Sequence, residues 1–284
     1  MKVKKCVIPV AGLGTRFLPI TKSIPKTMLT VVDKPILHYI IEEAYEAGFD
    51  DFLIVTNKDK YLLQDYFSSN KHLENRVNGS HKINSLNDLN DLMDKVKISY
   101  AIEEKPLGSA HGVSLAKEFV SNDPFAIMFG DNLFLGDKSA MIEMVEAFDK
   151  YDSNIIGVQE VDKNDVHLYG VIKYDDNIEN KIDYMVEKPD IDTAPSNMAA
   201  VGRYIVKPEI FDYISNLKPG LHNEYQLTDA LIELIKKEPC YACNITSKLF
   251  DTGSKVGFIK ANIAYSLKRD DLKDEIKEYI KSIS

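Results

Sequence analysis

The sequence predicts an α/β fold, a Rossmann-like three-layer arrangement with helices on both faces of a mainly parallel mixed sheet. Two observations predict it. Short apolar runs at residues 3–10, 52–56, 96–101, 125–129 and 155–159 have strand length. Between them lie patterns of helical spacing at 35–47, 62–67, 112–119 and 141–150. Alternation of these two kinds of segment calls for parallel strands joined by crossover helices.

Each element has a local reason. The helix at 35–47 carries Pro35 at its first position, Ile36, Ile40 and Ala44 on one face, and Gly48 just past its end. Residues 70–94 are rich in Asn, Asp and Lys, with Leu86, Leu89 and Met93 spaced for one helical stripe, and read as a peripheral insertion. Beyond about residue 160 the pattern is mixed, with strands at 170–174, 182–186 and 199–206, a helix at 226–236, and a charged helical stretch at 255–283. No internal repeat and no Pro/Ser linker interrupts the chain, so the second half is expected to complete the same sheet.

Composition narrows the function classes. With 284 residues and 44% hydrophobic content the chain can bury a sizeable core. Lys and Arg total 35 against 44 Asp and Glu, and a net charge of -9 repels nucleic acid and anionic lipid alike. Any phosphate must therefore be held locally. Cys6, Cys240 and Cys243 form no even framework, and Cys240-Tyr-Ala-Cys243 lacks the second pair of a zinc site, so a reduced, cytoplasmic setting is expected. The basic start followed by a short apolar run holds Pro9 and leads straight into a glycine loop, which reads as a buried first strand rather than a leader. No apolar stretch approaches the roughly 18 residues of a membrane helix, and a soluble protein with no membrane partner is expected.

The first strand leads into Ala11-Gly12-Leu13-Gly14-Thr15-Arg16-Phe17-Leu18-Pro19, then Ile24-Pro25-Lys26. Two glycines let backbone N–H groups approach phosphate oxygens, and Arg16 and Lys26 add donors that neutralise a polyphosphate. Two familiar loops are excluded: the dinucleotide fingerprint needs a third Gly where Phe17 stands, and the ATPase loop needs Gly-Lys-Ser/Thr. The glycines alone also fit an ordinary tight turn, but such a turn needs neither Arg16 nor Lys26.

With Pro25-Lys26 and Val32-Asp33-Lys34-Pro35, this run resembles the signature of the sugar-nucleotide pyrophosphorylases, most closely the bacterial UTP–glucose-1-phosphate uridylyltransferases. Gly130-Asp131, Tyr169-Gly170, Glu187-Lys188-Pro189, Pro195-Ser196-Asn197, Val201-Gly202-Arg203-Tyr204 and Gln226-Leu227-Thr228-Asp229-Ala230 look like that family's later blocks in the same order, so the resemblance spans residues 3–265. It implies a GT-A-like nucleotidyltransferase domain over 1–284, with a nucleotide-binding part at about 1–135, a sugar-binding part at about 136–255 and a C-terminal helical segment at about 256–284. It further implies transfer of UMP from UTP to glucose 1-phosphate by direct in-line attack, giving UDP-glucose and pyrophosphate, in a homodimer or homotetramer.

The resemblance assigns roles residue by residue. Arg16 binds the departing pyrophosphate and Lys26 the α-phosphate, while Ala11, Gly12, Gly14, Thr15, Glu103 and Gly108 surround the nucleotide. On the sugar side, Glu187 takes glucose hydroxyls, Lys188 the sugar phosphate, Gly170 offers a backbone N–H, and Asn132 belongs to the same group.

Asp131 follows an apolar strand and so sits at its carboxyl end, where ligands gather in open α/β sheets. A hard oxygen ligand there suits Mg2+, usually held by one or two carboxylates plus substrate phosphates. Asp251 of Phe250-Asp251-Thr252-Gly253 resembles the family's other acidic position and completes the expected Mg2+ pair; the competing readings are a turn residue for Asp131 and a helix cap for Asp251. Asp-Thr-Gly also occurs in aspartic proteases, but these need two carboxylates sharing a proton, and the motif occurs once.

The base pocket departs from the family pattern. Relatives carry Gln before a Gly-Leu-Gly-His turn, where this chain has Glu103, followed by Pro106-Leu107-Gly108-Ser109-Ala110-His111. A carboxylate accepts from uracil N3–H but cannot donate, and it suits guanine, with two adjacent donors, equally well or better. A nucleotidyltransferase for GTP or dTTP, or for another sugar, therefore stays open, as does a non-catalytic nucleotide-sugar-binding regulator. His111 is taken as structural.

Overall fold

The computed structural model describes residues 3–57, 60–80, 83–220 and 223–283. Along the first half the described residues form β1 (Lys5–Pro9), β2 (Thr30–Val31), β3 (Lys34–Pro35), α1 (Ile36–Glu46), β4 (Asp51–Thr56), α2 (Lys60–Tyr66), α3 (Lys71–Val77), α4 (Ile83–Met93), β5 (Lys97–Ile102), α5 (Ser109–Ser114), α6 (Lys117–Val120), β6 (Phe125–Met128) and β7 (Asn132–Leu135). The second half adds α7 (Ala140–Tyr151), β8 (Asn154–Glu160), β9 (Gly170–Tyr174), β10 (Ile182–Glu187), β11 (Met198–Val206), α8 (Ile210–Ser215), α9 (Leu227–Ile235), β12 (Cys240–Asn244), β13 (Lys248–Asp251), α10 (Lys255–Lys268) and α11 (Lys273–Ile283).

Nine strands make one mixed sheet in the order β10-β9-β11-β6-β1-β4-β5, with β8 also on β11 and β12 on β8. β1 takes an interior place and pairs in parallel with β4, in register Cys6↔Phe52 and Ile8↔Ile54, and with β6. β5 extends this parallel block beyond β4. β11 runs antiparallel to β6, β8 and β9, and joins the early strands to the late ones.

Side-chain alternation along the strands builds two cores. Cys6 and Ile8 of β1, Phe52 and Ile54 of β4, and Ala126 and Met128 of β6 face the helices α1 and α7. Val7, Leu53, Val55, Phe125 and Ile127 face the other side, with α5, α8 and α9. Because successive side chains point to opposite faces, a strand buried on both reads as a continuous apolar run, which is what residues 125–128 show. This is the expected three-layer arrangement.

Some elements differ from the sequence expectation. Pro35 precedes α1 as its cap residue instead of opening it. The helix expected at 112–119 begins at Ser109 and breaks into α5 and α6 around Leu115 and Ala116. Residues 70–94 hold α3 and α4, attached through Leu89 and Leu92, which are buried, and Met93, which packs on them. β2, β3, β7, β12 and β13 had no sequence expectation. Cys240 and Cys243 are buried in or at β12, where burial pushes each thiol up to about 12, so neither offers a thiolate. No helix among the described residues is long and apolar enough to cross a membrane.

Candidate active site

The loop after β1 does not open directly into a helix. It passes through three 3-10 turns, at Thr15–Phe17, Ile20–Lys22 and Lys26–Met28, before the β2–β3 hairpin and α1. Gly14 sits at φ 61, in the left-handed region, and a Cβ there would lie 3.0 Å from that of Lys26. Thr21 Oγ1 donates to the Gly14 carbonyl at 2.9 Å, so the loop folds back and brings Lys26 beneath it. Gly12, by contrast, is exposed, and a Cβ there would meet nothing within 4 Å. The fold itself does not require glycine at Gly12; close approach of a ligand to its backbone supplies a reason.

This loop forms one wall of a cleft of about 550 Å³. Ala11, Gly12, Gly14, Thr15, Lys26, Glu103, Gly108 and Asp131, all singled out from the sequence, line it. Lys26 Nζ donates to Asp131 Oδ2 at 2.7 Å across its floor. Arg16 is exposed outside the lining, and no hydrogen bond or ion pair among the described residues holds its guanidinium.

Glu103 follows β5 and is anchored by its own N–H to Thr56 O at 2.7 Å. It is 6% exposed, and its Oε1 meets His111 Nδ1 at 2.5 Å. Gly108 adopts φ 107, and a Cβ would strike Tyr225 O at 2.5 Å. That close approach allows a backbone clasp in which Tyr225 N donates to Leu107 O and Ala110 N to Tyr225 O, at 2.7 and 2.9 Å.

Asp131 and Asp251 come together through the Asp-Thr-Gly run. β13 pairs antiparallel with β7, in register Asp251↔Asn132. Thr252, wholly buried, gives both its N–H and its hydroxyl to Asp131 O at 2.7 Å each. A Cβ at Gly253 would lie 2.8 Å from Asp131 Oδ2 and equally far from Asp251 Oδ1, so both carboxylates border the space that glycine leaves. The helix cap is Ser254, not Asp251, since Ser254 Oγ accepts from Gly257 N. Two carboxylate oxygens facing one small space fit a magnesium ion that takes its remaining ligands from phosphates and water. Among the described residues no group of three or more His, Cys, Asp and Glu side chains could hold a metal.

The sugar-side residues lie outside the lining of this cleft. Glu187 ends β10, its Oε1 3.1 Å from Lys188 Nζ, and Lys188 takes a left-handed φ of 46. Glu187 Oε2 is buried with no hydrogen-bond partner among the described residues, and a Cβ at Gly170 would lie 3.3 Å from it. An orphan buried acceptor of this kind calls for a donor that binding supplies. Asn132 spends an amide N–H on Val201 O at 3.0 Å.

Four neighbours were given no site role from the sequence, although Tyr169, Arg203 and Asp229 lie in motifs that carry the resemblance. Tyr169, whose carbonyl accepts from Lys188 N at 2.9 Å, has its phenol pushed up by burial and then by the charge of Asp251. Asp229 is pushed up by burial and then by Glu187. Glu224 lines the cleft and accepts from Gln226 Nε2 at 2.8 Å. Arg203, completely buried, donates to Glu43 and to the carbonyls of Phe129 and Asn132 on either side of Asp131.

Residues 5–267 match the model of the nucleotidyl transferase family. The chain is 40% identical over 286 residues to UTP–glucose-1-phosphate uridylyltransferase 1 of Staphylococcus saprophyticus subsp. saprophyticus, with 100% of both chains covered. The chain belongs to this nucleotidyltransferase family. A solved structure of apo UDP-glucose pyrophosphorylase superposes with a TM-score of 0.91 at 40% identity, over 94% of this chain and 99% of that one. Another, of UDP-glucose pyrophosphorylase complexed with UDP-glucose, gives a TM-score of 0.86 at 40% identity, over 94% of this chain and 100% of that one. Family membership bears out the α/β nucleotidyltransferase fold and the enzyme class expected from the sequence.

Proposed function

We propose that the protein transfers UMP from UTP to glucose 1-phosphate, giving UDP-glucose and pyrophosphate, with magnesium bound between Asp131 and Asp251. The carrying observation is the cleft that sets Lys26 against Asp131 at one end and buries Glu103 at the other. A full-length relative named for this reaction and a neighbour that holds UDP-glucose support the choice of substrates.

The chemistry needs no protein nucleophile. A phosphate oxygen of the sugar phosphate forms a bond to the α-phosphorus of UTP in line with the bond to the bridging oxygen, which breaks as pyrophosphate leaves with the electron pair. Catalysis is then positioning and charge neutralisation. Lys26 leaves Asp131 for the α-phosphate, and the exposed Arg16 takes the departing pyrophosphate. Glu187 Oε2 accepts from a sugar hydroxyl, and Lys188 holds the sugar phosphate. When bound, magnesium would neutralise phosphate charge and orient the reacting groups.

Pyrophosphate release from each of UTP, dTTP, GTP, CTP and ATP with glucose 1-phosphate, with and without magnesium, tests this reading. Magnesium-dependent release dominated by UTP is expected. Preference for another nucleotide would overturn the substrate assignment, and no turnover with any sugar phosphate would overturn the activity.

A further inference from the structure

Glu103 and His111 are both held by backbone bonds that leave little freedom. Glu103 hangs from Thr56 O, and His111 lies in the first turn of α5 between Ala110, whose N–H is bonded to Tyr225 O, and Gly112, whose N–H is bonded to Gly108 O at 3.2 Å. A carboxylate carries no hydrogen, so His111 Nδ1 is the donor in their 2.5 Å contact whether the ring is neutral or protonated. That contact engages Oε1. Oε2 remains, 3.6 Å from where a Cβ of Gly112 would stand, and Gly112 itself lines the cleft.

We infer that His111 is a positioning residue for base selection: by occupying Oε1 it leaves Glu103 one acceptor, matched to the single ring N–H of uracil and not to the two adjacent donors of guanine. This rests on the uridylyl-transfer reading above. Cytosine is disfavoured by the same carboxylate, because it presents an acceptor, N3, where uracil presents an N–H. Without His111 both oxygens face the pocket, and guanine gains a second partner.

The test compares kcat and KM for UTP, GTP and CTP, each with glucose 1-phosphate and magnesium, in the wild type, His111→Ala, His111→Leu, His111→Asn and the double variant Glu103→Gln with His111→Ala. The wild type is expected to favour UTP. His111→Ala and His111→Leu should raise the GTP/UTP ratio of kcat/KM about tenfold, through KM, as expected when one charged hydrogen bond changes hands, while CTP stays disfavoured. His111→Asn should return the ratio towards the wild type, because its amide N–H can stand in for Nδ1. The double variant should return it too, since an amide offers a single acceptor. Folded Ala and Leu variants with an unchanged GTP/UTP ratio would overturn the inference while leaving a UTP-preferring enzyme intact. A wild type that does not prefer UTP overturns the underlying reading instead.

Discussion

Arg203 meets both carboxylate oxygens of Glu43, Nε to Oε1 at 3.0 Å and Nη2 to Oε2 at 2.7 Å, across 160 residues of chain. The pair is a strut beneath the segment that carries Asp131, because the same guanidinium holds the carbonyls of Phe129 and Asn132. A forked pair of this geometry is specific as well as strong. Removing one partner leaves a buried charge, at a cost of about 3–5 kcal/mol. Glu43→Ala should lower the unfolding free energy by that amount, read as a lower urea midpoint with an unchanged slope. A loss under about 1 kcal/mol would mean that the pair is not a strut.

Gly253→Ala inserts a methyl group 2.8 Å from both carboxylates. Because the methyl group fills the space that both carboxylates border, folded Gly253→Ala is expected to need much more magnesium for half-maximal rate. Asp251→Asn should shift the magnesium requirement in the same direction. Magnesium titration of initial rates checks both, and an unchanged requirement in either would remove that residue from the metal site.

Glu187→Gln keeps the volume but weakens the acceptor that is buried without a partner. If a sugar hydroxyl completes it, KM for glucose 1-phosphate should rise on the order of tenfold, as for loss of a charged hydrogen bond, with KM for UTP nearly unchanged. Equal increases in both values would indicate a general disturbance of the cleft.

Asp229 gives a pH signature. Burial, reinforced by Glu187, raises its carboxyl above the ordinary aspartate value of 3.8. Below that value both folded and unfolded chains are protonated, and Asp229 costs nothing. As pH rises, the unfolded chain ionises first and stability falls until the folded carboxyl ionises as well. Asp229→Asn should therefore be more stable than the wild type at pH 7, with the gap closing as pH falls below 4. Urea unfolding at both pH values reads it, and a gap that widens in acid would reverse the sign.

What the sequence disclosed depended on range. Strands such as 125–128 are visible because burial on both faces leaves a continuous apolar run. β7 and β13, four residues each, were not, because their pairing is with each other and their apolar content resembles a turn's flank. Asp131 was legible from its place after a strand, but its meeting with Asp251 depends on Thr252, whose bonds to Asp131 O span 121 residues. Arg203 looked like part of a strand motif, and only the fold brings Glu43 to it. The Glu103–His111 contact closes over eight residues, yet no periodicity marks it, because the chain between leaves β5, turns at Gly108 and enters α5.

β11 pairs with β6 of the first half and with β8 and β9 of the second. A strand shared in this way gives the chain no line along which to come apart. Heat that frees the later strands also strips a neighbour from β6, and the loss travels on through β1. The protein is therefore expected to melt as one cooperative unit, with local opening confined to parts off that strand, such as α3, α4 and α11.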